Sequence, residues 1–254
     1  MSEKRGTALV TGAATRVGRA LALGAAALGF DVAVHYHRSA GAAEDTVREI
    51  RASGRRSAGF TADLADAAAS AALVEGVAAA LGPVRLLVNN AAIFEFDRPE
   101  SVSDASWTRH MAINLHAPFL LTQAMLRGLP AAVDGHVVNL TDQRVLNPTP
   151  NYTSYTASKV ALAGLTPHLA LALAPRVRVN AIAPGIVLPA VGMAGDGLAR
   201  LAQAAPLRRA TSLDEIAGAL RWLVETPSVT GQTLTLDAGL HLGWLHPGQQ
   251  PGAG

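Results

Sequence analysis

Between Thr7 and Leu236, short runs rich in β-branched residues alternate with longer stretches rich in Ala and Leu. That alternation, kept up along the whole chain, is the pattern of βαβ units, so it leaves few architectures open. Strands are predicted at Thr7 to Val10, Asp31 to His35, Ser57 to Thr61, Leu86 to Val88, His136 to Leu140, Arg178 to Ile182 and Thr233 to Leu236. Helices are predicted to begin near Arg16, Ala42, Ala67, Ala105, Tyr152 and Leu213. The expected class is α/β, a doubly wound parallel sheet of seven strands flanked by helices on both faces. Functional loops should then follow the carboxyl ends of strands, beside the point where strand order reverses.

A chain of 254 residues, half of them hydrophobic, can bury one substantial core. A single domain over residues 1–245 is expected, with a poorly ordered Pro-, Gly- and Gln-rich tail at 246–254. Cysteine is absent, which excludes disulfides, thiolate metal sites and cysteine nucleophiles, and no metal site is expected. The segment Met1 to Gly6 carries no apolar signal region, and no later apolar run is long enough to span a bilayer. A soluble cytoplasmic protein without a membrane partner is therefore expected. The formal net charge is only +2 and the arginines are scattered, so nucleic acid is not an expected partner either.

After the first strand runs Thr11-Gly-Ala-Ala-Thr-Arg-Val-Gly18. Its glycines would let the backbone approach a pyrophosphate while the next helix offers its N-terminal amides. Candidate cofactor residues here are Gly12, Thr15, Arg16, Val17 and Gly18. The second strand ends in His35-Tyr-His-Arg-Ser39, without the carboxylate that an NAD site uses to hold ribose hydroxyls. Arg38, with Ser39 and His37, can instead pair with a 2′-phosphate, which favours NADPH over NADH. Asp63 and Leu64 follow the third strand, where an adenine amino group could be met. Asn89 and Ala91 follow the fourth, where a nicotinamide ribose could approach. The stretch Pro184 to Pro206, with Gly185, Gly192, Gly195 and Gly197, reads as a substrate lid with a short helix.

Tyr155 and Lys159 stand four apart, so on a helix they share a face. Of 21 basic residues only Lys4 and Lys159 are lysine, so this chain uses arginine where charge alone suffices. An ammonium beside the phenol is expected to stabilise the phenolate and lower the Tyr155 pKa.

Thr11-Gly12, Asn89-Asn90-Ala91, Asn114, Tyr155-x-x-x-Lys159, Asn180 and Pro184-Gly185 occur in the order found in short-chain dehydrogenases/reductases, which the whole chain resembles. The resemblance implies a Rossmann-type fold, a homotetramer and hydride transfer from a nicotinamide held by Pro184, Gly185 and Ile186 among others. It implies Tyr155 as acid, Lys159 as its modulator and ribose ligand, and Asn114 as anchor of a water relay.

Where that family carries a serine, thirteen residues before the tyrosine, this chain has Asp142. An ionised carboxylate would repel a developing alkoxide but can hold amino or ring N–H groups, so a nitrogen heterocycle reduced at C=N is favoured. Thr-Gly-Ala-Ala-x-Arg-x-Gly, His-Tyr-His-Arg-Ser, the aspartate and Tyr-Thr-x-x-Lys are similar to pteridine reductases. That likeness implies a small pterin-like substrate bound by Arg16, Phe94, Asp142 and Tyr155, with Phe94 stacking the ring and Asp142 and Tyr155 as an acid pair. Ala92 departs from it, standing where a hydroxyl residue is expected. A carbonyl reductase of the 3-oxoacyl thioester or ketone type, and a non-catalytic NADP(H) sensor, are the alternatives.

Overall fold

The computed structural model describes residues 5–189 and 196–243. Gly192, Gly195, Trp244 and the 246–254 tail lie outside these. Seven strands form one parallel sheet: β1 (Thr7–Val10), β2 (Asp31–Tyr36), β3 (Ser57–Thr61), β4 (Val84–Asn89), β5 (Gly135–Leu140), β6 (Val177–Pro184) and β7 (Thr233–Leu236). Their order is β3-β2-β1-β4-β5-β6-β7, so the chain reverses direction of travel across the sheet between β1 and β4. The crevice above that reversal is where ligands bind in sheets of this kind.

The strands are apolar on both faces because helices cover both. Ala8, Val10, Val32, Val34, Leu86, Val88 and Ile182 point into one core, beneath α1 (Arg16–Ala27) and α8 (Leu213–Glu225). The intervening Leu9, Ala33, Leu87, Val137 and Val179 point into the other, beneath α3 (Ala67–Leu81) and α5 (Ala117–Gly128). This two-residue alternation fixes register, since a slip by one would exchange the cores. Helix α2 (Ala40–Ala52) follows β2, α6 (Thr153–Leu173) precedes β6, and α7 (Gly197–Ala204) lies in the segment expected to be a lid.

Two helices begin within a residue of where the sequence places them and carry local features that shape the site. The helix expected near Ala105 is α4 (Asp104–Met111), continued into α5 through a π-helical turn, Ala112–His116. Such turns cluster at functional sites, and Asn114 is at the centre of this one. Tyr152 does not begin α6 but precedes it in the left-handed conformation, with φ of 63° and ψ of 48°. The N-terminus of α6 is anchored by Asp97, whose carbonyl accepts from Tyr152 N at 2.8 Å and whose Oδ1 accepts from Ser154 N at 3.2 Å. Ser154 also donates from its hydroxyl to Asp97 Oδ2, and its Oγ lies 2.9 Å from His110 Nδ1. No helix among the described residues is long and apolar enough to cross a membrane.

Candidate active site

The turn after β1 closes only because of its glycines. Gly12 has φ of +62°, and a Cβ on Gly18 would lie 2.0 Å from the Gly12 carbonyl oxygen. Asn90 secures the turn, donating from Nδ2 to Thr11 O at 2.8 Å. His35 secures it from below, accepting from Gly12 N at 3.1 Å through Nδ1 while Nε2 lies 3.2 Å from Ala62 O. Burial lowers the His35 pKa, and the two contacts select the neutral ring with its hydrogen on Nε2. Thr15 is the N-cap of α1 but makes no side-chain capping bond, and the first turn contains no acidic residue. The first amides of α1 are thus open to an anion at the positive end of the helix dipole.

At the end of β2, Arg38 is exposed and has no partner among the described residues. Ser39 is the N-cap of α2, again without a side-chain capping bond. His37 Nε2 lies 3.9 Å from Asp63 Oδ2. A glycine cradle, an uncapped helix and a free guanidinium with a hydroxyl beside it fit a phosphorylated dinucleotide. Leu64 is buried beneath this edge. Asn89 turns inward, donating to Asn139 Oδ1 at 2.9 Å, and its own Oδ1 is buried without a hydrogen-bond partner among the described residues. Its side chain therefore joins β4 to β5, while Ala91 N donates to Thr11 Oγ1 at 2.9 Å.

Across the crevice lies a cavity of about 610 Å³. Tyr155, Asp142, Arg16, Val17, Phe94, Gly185 and Ile186, all singled out in the sequence, line it together. Gly185 follows Pro184 at the end of β6 and has no room for a side chain, since a Cβ would meet Asp237 Cβ at 2.6 Å. Arg16 holds a left-handed backbone, with φ of 53°, and donates from Nη2 to Pro189 O in the lid segment at 2.8 Å. Leu198 and Leu201 of α7 close the same side.

The Tyr155 hydroxyl donates to Asp142 Oδ2 at 2.9 Å. Tyr155 is nearly buried and its pKa is held well above 10, chiefly by burial, then by the charge of Asp142 and the hydrogen bond to it, with Arg144 opposing. This corrects the expected lowering by Lys159. The lysine Nζ is 5.8 Å from the centre of the Tyr155 ring and spends its short bond on Leu140 O, at 2.6 Å. Burial brings the Lys159 pKa down to about 8, with Asp142 pulling the other way. Asp142 accepts from Tyr155, from Arg144 N at 2.8 Å and from Arg144 Nη1 at 3.3 Å.

Among the described residues, Asn114 makes no hydrogen bond to Tyr155 or Lys159. Its Oδ1 accepts from Ile93 N at 2.9 Å, and its Nδ2 donates to Ile93 O at 3.0 Å and to Ser158 Oγ at 3.1 Å. The side chain therefore pins the segment leading to Phe94 against α6. Phe94 itself is stacked on Tyr152, with ring centres 4.2 Å apart, and meets Tyr155 edge-on at 4.7 Å. One face of the expected stacking platform is thus already covered by a neighbour. Tyr152, Gln143 and Arg144 also line the cavity and were not legible in the sequence. Their only signal was proximity to Asp142 and Tyr155.

The family model for short chain dehydrogenase matches residues 6–196. FolM alternative dihydrofolate reductase 1 from Brucella suis, solved in complex with NADP, is 42% identical with a TM-score of 0.91, over 96% of this chain and 98% of that one. The Brucella canis protein of the same name, complexed with NADP, is 41% identical with a TM-score of 0.88, over 97% and 96%. A 3-oxoacyl-(acyl-carrier-protein) reductase from Synechocystis sp. is 34% identical over 238 residues, 92% of this chain and 96% of that protein. A family match across most of the chain, on a fold and a Tyr155–Lys159 helix of the kind just described, makes this protein an oxidoreductase of the short chain dehydrogenase family.

Proposed function

We propose that this protein reduces a pterin at a ring C=N bond, with dihydrobiopterin, dihydromonapterin or a dihydrofolate-like compound as substrate. The cofactor is NADP(H), in keeping with the NADP-bound relatives and with the unpaired Arg38 where a carboxylate would select NAD. The turn from Gly12 to Gly18 and the start of α1 would hold its pyrophosphate, and Arg38 with Ser39 its 2′-phosphate. When bound, the cofactor supplies hydride to the ring carbon.

The observation that carries the substrate reading is the Tyr155–Asp142 hydrogen bond. A carboxylate at the proton donor accepts hydrogen bonds and disfavours an alkoxide, whereas the amino and ring N–H groups of a pterin can donate to it. Tyr155 gives its proton to the ring nitrogen. Lys159, charged below about pH 8, keeps a cation on the same helix face, one turn from the phenol. Phe94 and Tyr152, stacked on one another, line the same cavity and give it aromatic surface for a fused ring. We place the enzyme in the cytoplasm as a homotetramer. Asp142→Ser tests the reading: tetrahydropterin formation, measured by chromatography, should fall about 100-fold or more, as for loss of a group acting at the proton transfer. Undiminished pterin turnover, or turnover confined to ketones and 3-oxoacyl thioesters, would favour carbonyl reduction instead.

A further inference from the structure

Asp97 is 5% exposed, and no ion pair among the described residues includes its carboxylate. A buried charge without a counter-ion is tolerated only where hydrogen bonds replace its hydration, so its donors show what it holds. They are Ser154 N at 3.2 Å to Oδ1, the Ser154 hydroxyl to Oδ2, and Ser106 Oγ at 3.5 Å to Oδ2. Ser154 lies in the first turn of α6, immediately before Tyr155.

That turn lacks the cap a helix ordinarily supplies for itself. Its N-cap residue, Tyr152, makes no side-chain capping bond, and its ring is stacked on Phe94. An N-cap side chain accepts from the second or third amide of its helix. Asp97 accepts from the second, Ser154 N, from 57 residues away. The segment that carries Phe94 thus caps α6 from outside.

The network continues beyond the cap. Ser106 O can only accept, so His110 Nδ1, 2.9 Å away, carries the ring hydrogen, and Ser154 Oγ shares it at 2.9 Å. His110 Nε2 is left to accept, and Glu95 N donates to it at 3.4 Å. The His110 ring meets that of Tyr155 edge-on with centres 6.5 Å apart, as Phe94 does at 4.7 Å. Both aromatic neighbours therefore belong to chain that Asp97 and Ser154 tie to the start of α6.

We propose that Asp97 is a positioning residue for the proton donor, fixing the first turn of α6 through Ser154 and His110 and so placing the Tyr155 hydroxyl against Asp142. Asp97 is not among the residues that line the cavity, so it acts through Tyr155 and not on the substrate. The role holds for any substrate that Tyr155 protonates. A misplacement of about 1 Å at a reacting group can cost about 100-fold in rate.

The test uses the full-length enzyme with NADPH and dihydrobiopterin, or with a 3-oxoacyl thioester if that is what the parent reduces. Asp97→Leu removes the acceptors at similar volume, and Asp97→Asn keeps one for Ser154 N. Ser154→Ala cuts the link to His110 while the carboxylate stays. Steady-state kcat and KM, the solvent deuterium isotope effect on kcat, and Tm are measured for each. The expected result is kcat lowered about 100-fold in Asp97→Leu and about tenfold in Ser154→Ala, with KM for NADPH within about threefold of the parent. The solvent isotope effect should rise in both, and Asp97→Asn should recover most of kcat. If Asp97→Leu does not fold, Ser154→Ala decides by the same readouts. A lowered Tm with kcat and isotope effect unchanged would show a purely structural tie and overturn the proposal, as would an Asp97→Asn as slow as Asp97→Leu. A parent that reduces thioester and no pterin contradicts the pterin reading alone, and the thioester then reads the variants.

Discussion

The Tyr155 hydroxyl and Asp142 Oδ2, 2.9 Å apart, form one hydrogen-bonded unit in which the phenol keeps its proton. Burial and then Asp142, by charge and by hydrogen bond, hold the Tyr155 pKa well above 10. Asp142→Asn removes the charge, so the phenol should ionise at lower pH than in the parent. Ultraviolet difference titration, with Tyr155→Phe to identify the signal, reads the midpoint. An unchanged midpoint would mean that burial alone sets it.

Lys159 supplies a second titration. Its pKa is brought down to about 8 by burial, so the ammonium is present below that pH and lost above it. The plateau in kcat for pterin reduction should end near pH 8 with the loss of one proton. A profile that stays flat to about pH 10, the range of an unperturbed lysine, would detach Lys159 from proton transfer.

At the cofactor end, Arg38 has no partner to lose among the described residues. Arg38→Ala should raise KM for NADPH about 10- to 100-fold, the worth of one charge-assisted phosphate contact, and move KM for NADH far less. Equal effects on both cofactors would show that Arg38 does not meet the 2′-phosphate.

Far from the crevice, His136 makes folding sensitive to acid. Burial first, then the neighbouring Arg178, lowers its pKa from 6.5 to about 3. Between those values the unfolded chain binds the proton and the folded chain does not. The stability this residue contributes is therefore present above about pH 6.5 and lost as pH falls toward about 3, at about 1.4 kcal/mol per pH unit. Urea midpoints taken between about pH 7 and 5 should fall more steeply for the parent than for His136→Asn, by about one proton. Equal slopes would contradict it.

The parallel sheet was legible because both of its faces are covered, so each strand is a short apolar run bounded by turn residues. β1, β3 and β7 begin and end where the sequence places them. β4 and β6 run further, to Asn89 and Pro184, because strand pairing continues through residues whose chemistry suggests loops. The π-helical turn between Met111 and Ala117 was hidden, since a pattern of helical apolar residues does not distinguish one helix from two joined by a wider turn. At the site, Tyr155, Asp142, Arg16 and Phe94 do converge on one cavity. The spacing of Tyr155 and Lys159 put both on one helix face but could not show that Leu140 takes the lysine N–H. Gln143 and Arg144 escaped notice for a related reason. Only the one-turn helix after β5, which folds Arg144 back onto Asp142, gives them a place in the cavity.

The most direct measurement of the central claim is the kcat/KM of the purified enzyme with NADPH, compared between dihydrobiopterin and a 3-oxoacyl thioester. An acceptor at the proton donor predicts that the pterin is preferred by about 100-fold or more, as expected where a polar group is matched by one substrate and left unpaired by the other. A preference for the thioester, or no pterin turnover at all, would contradict it.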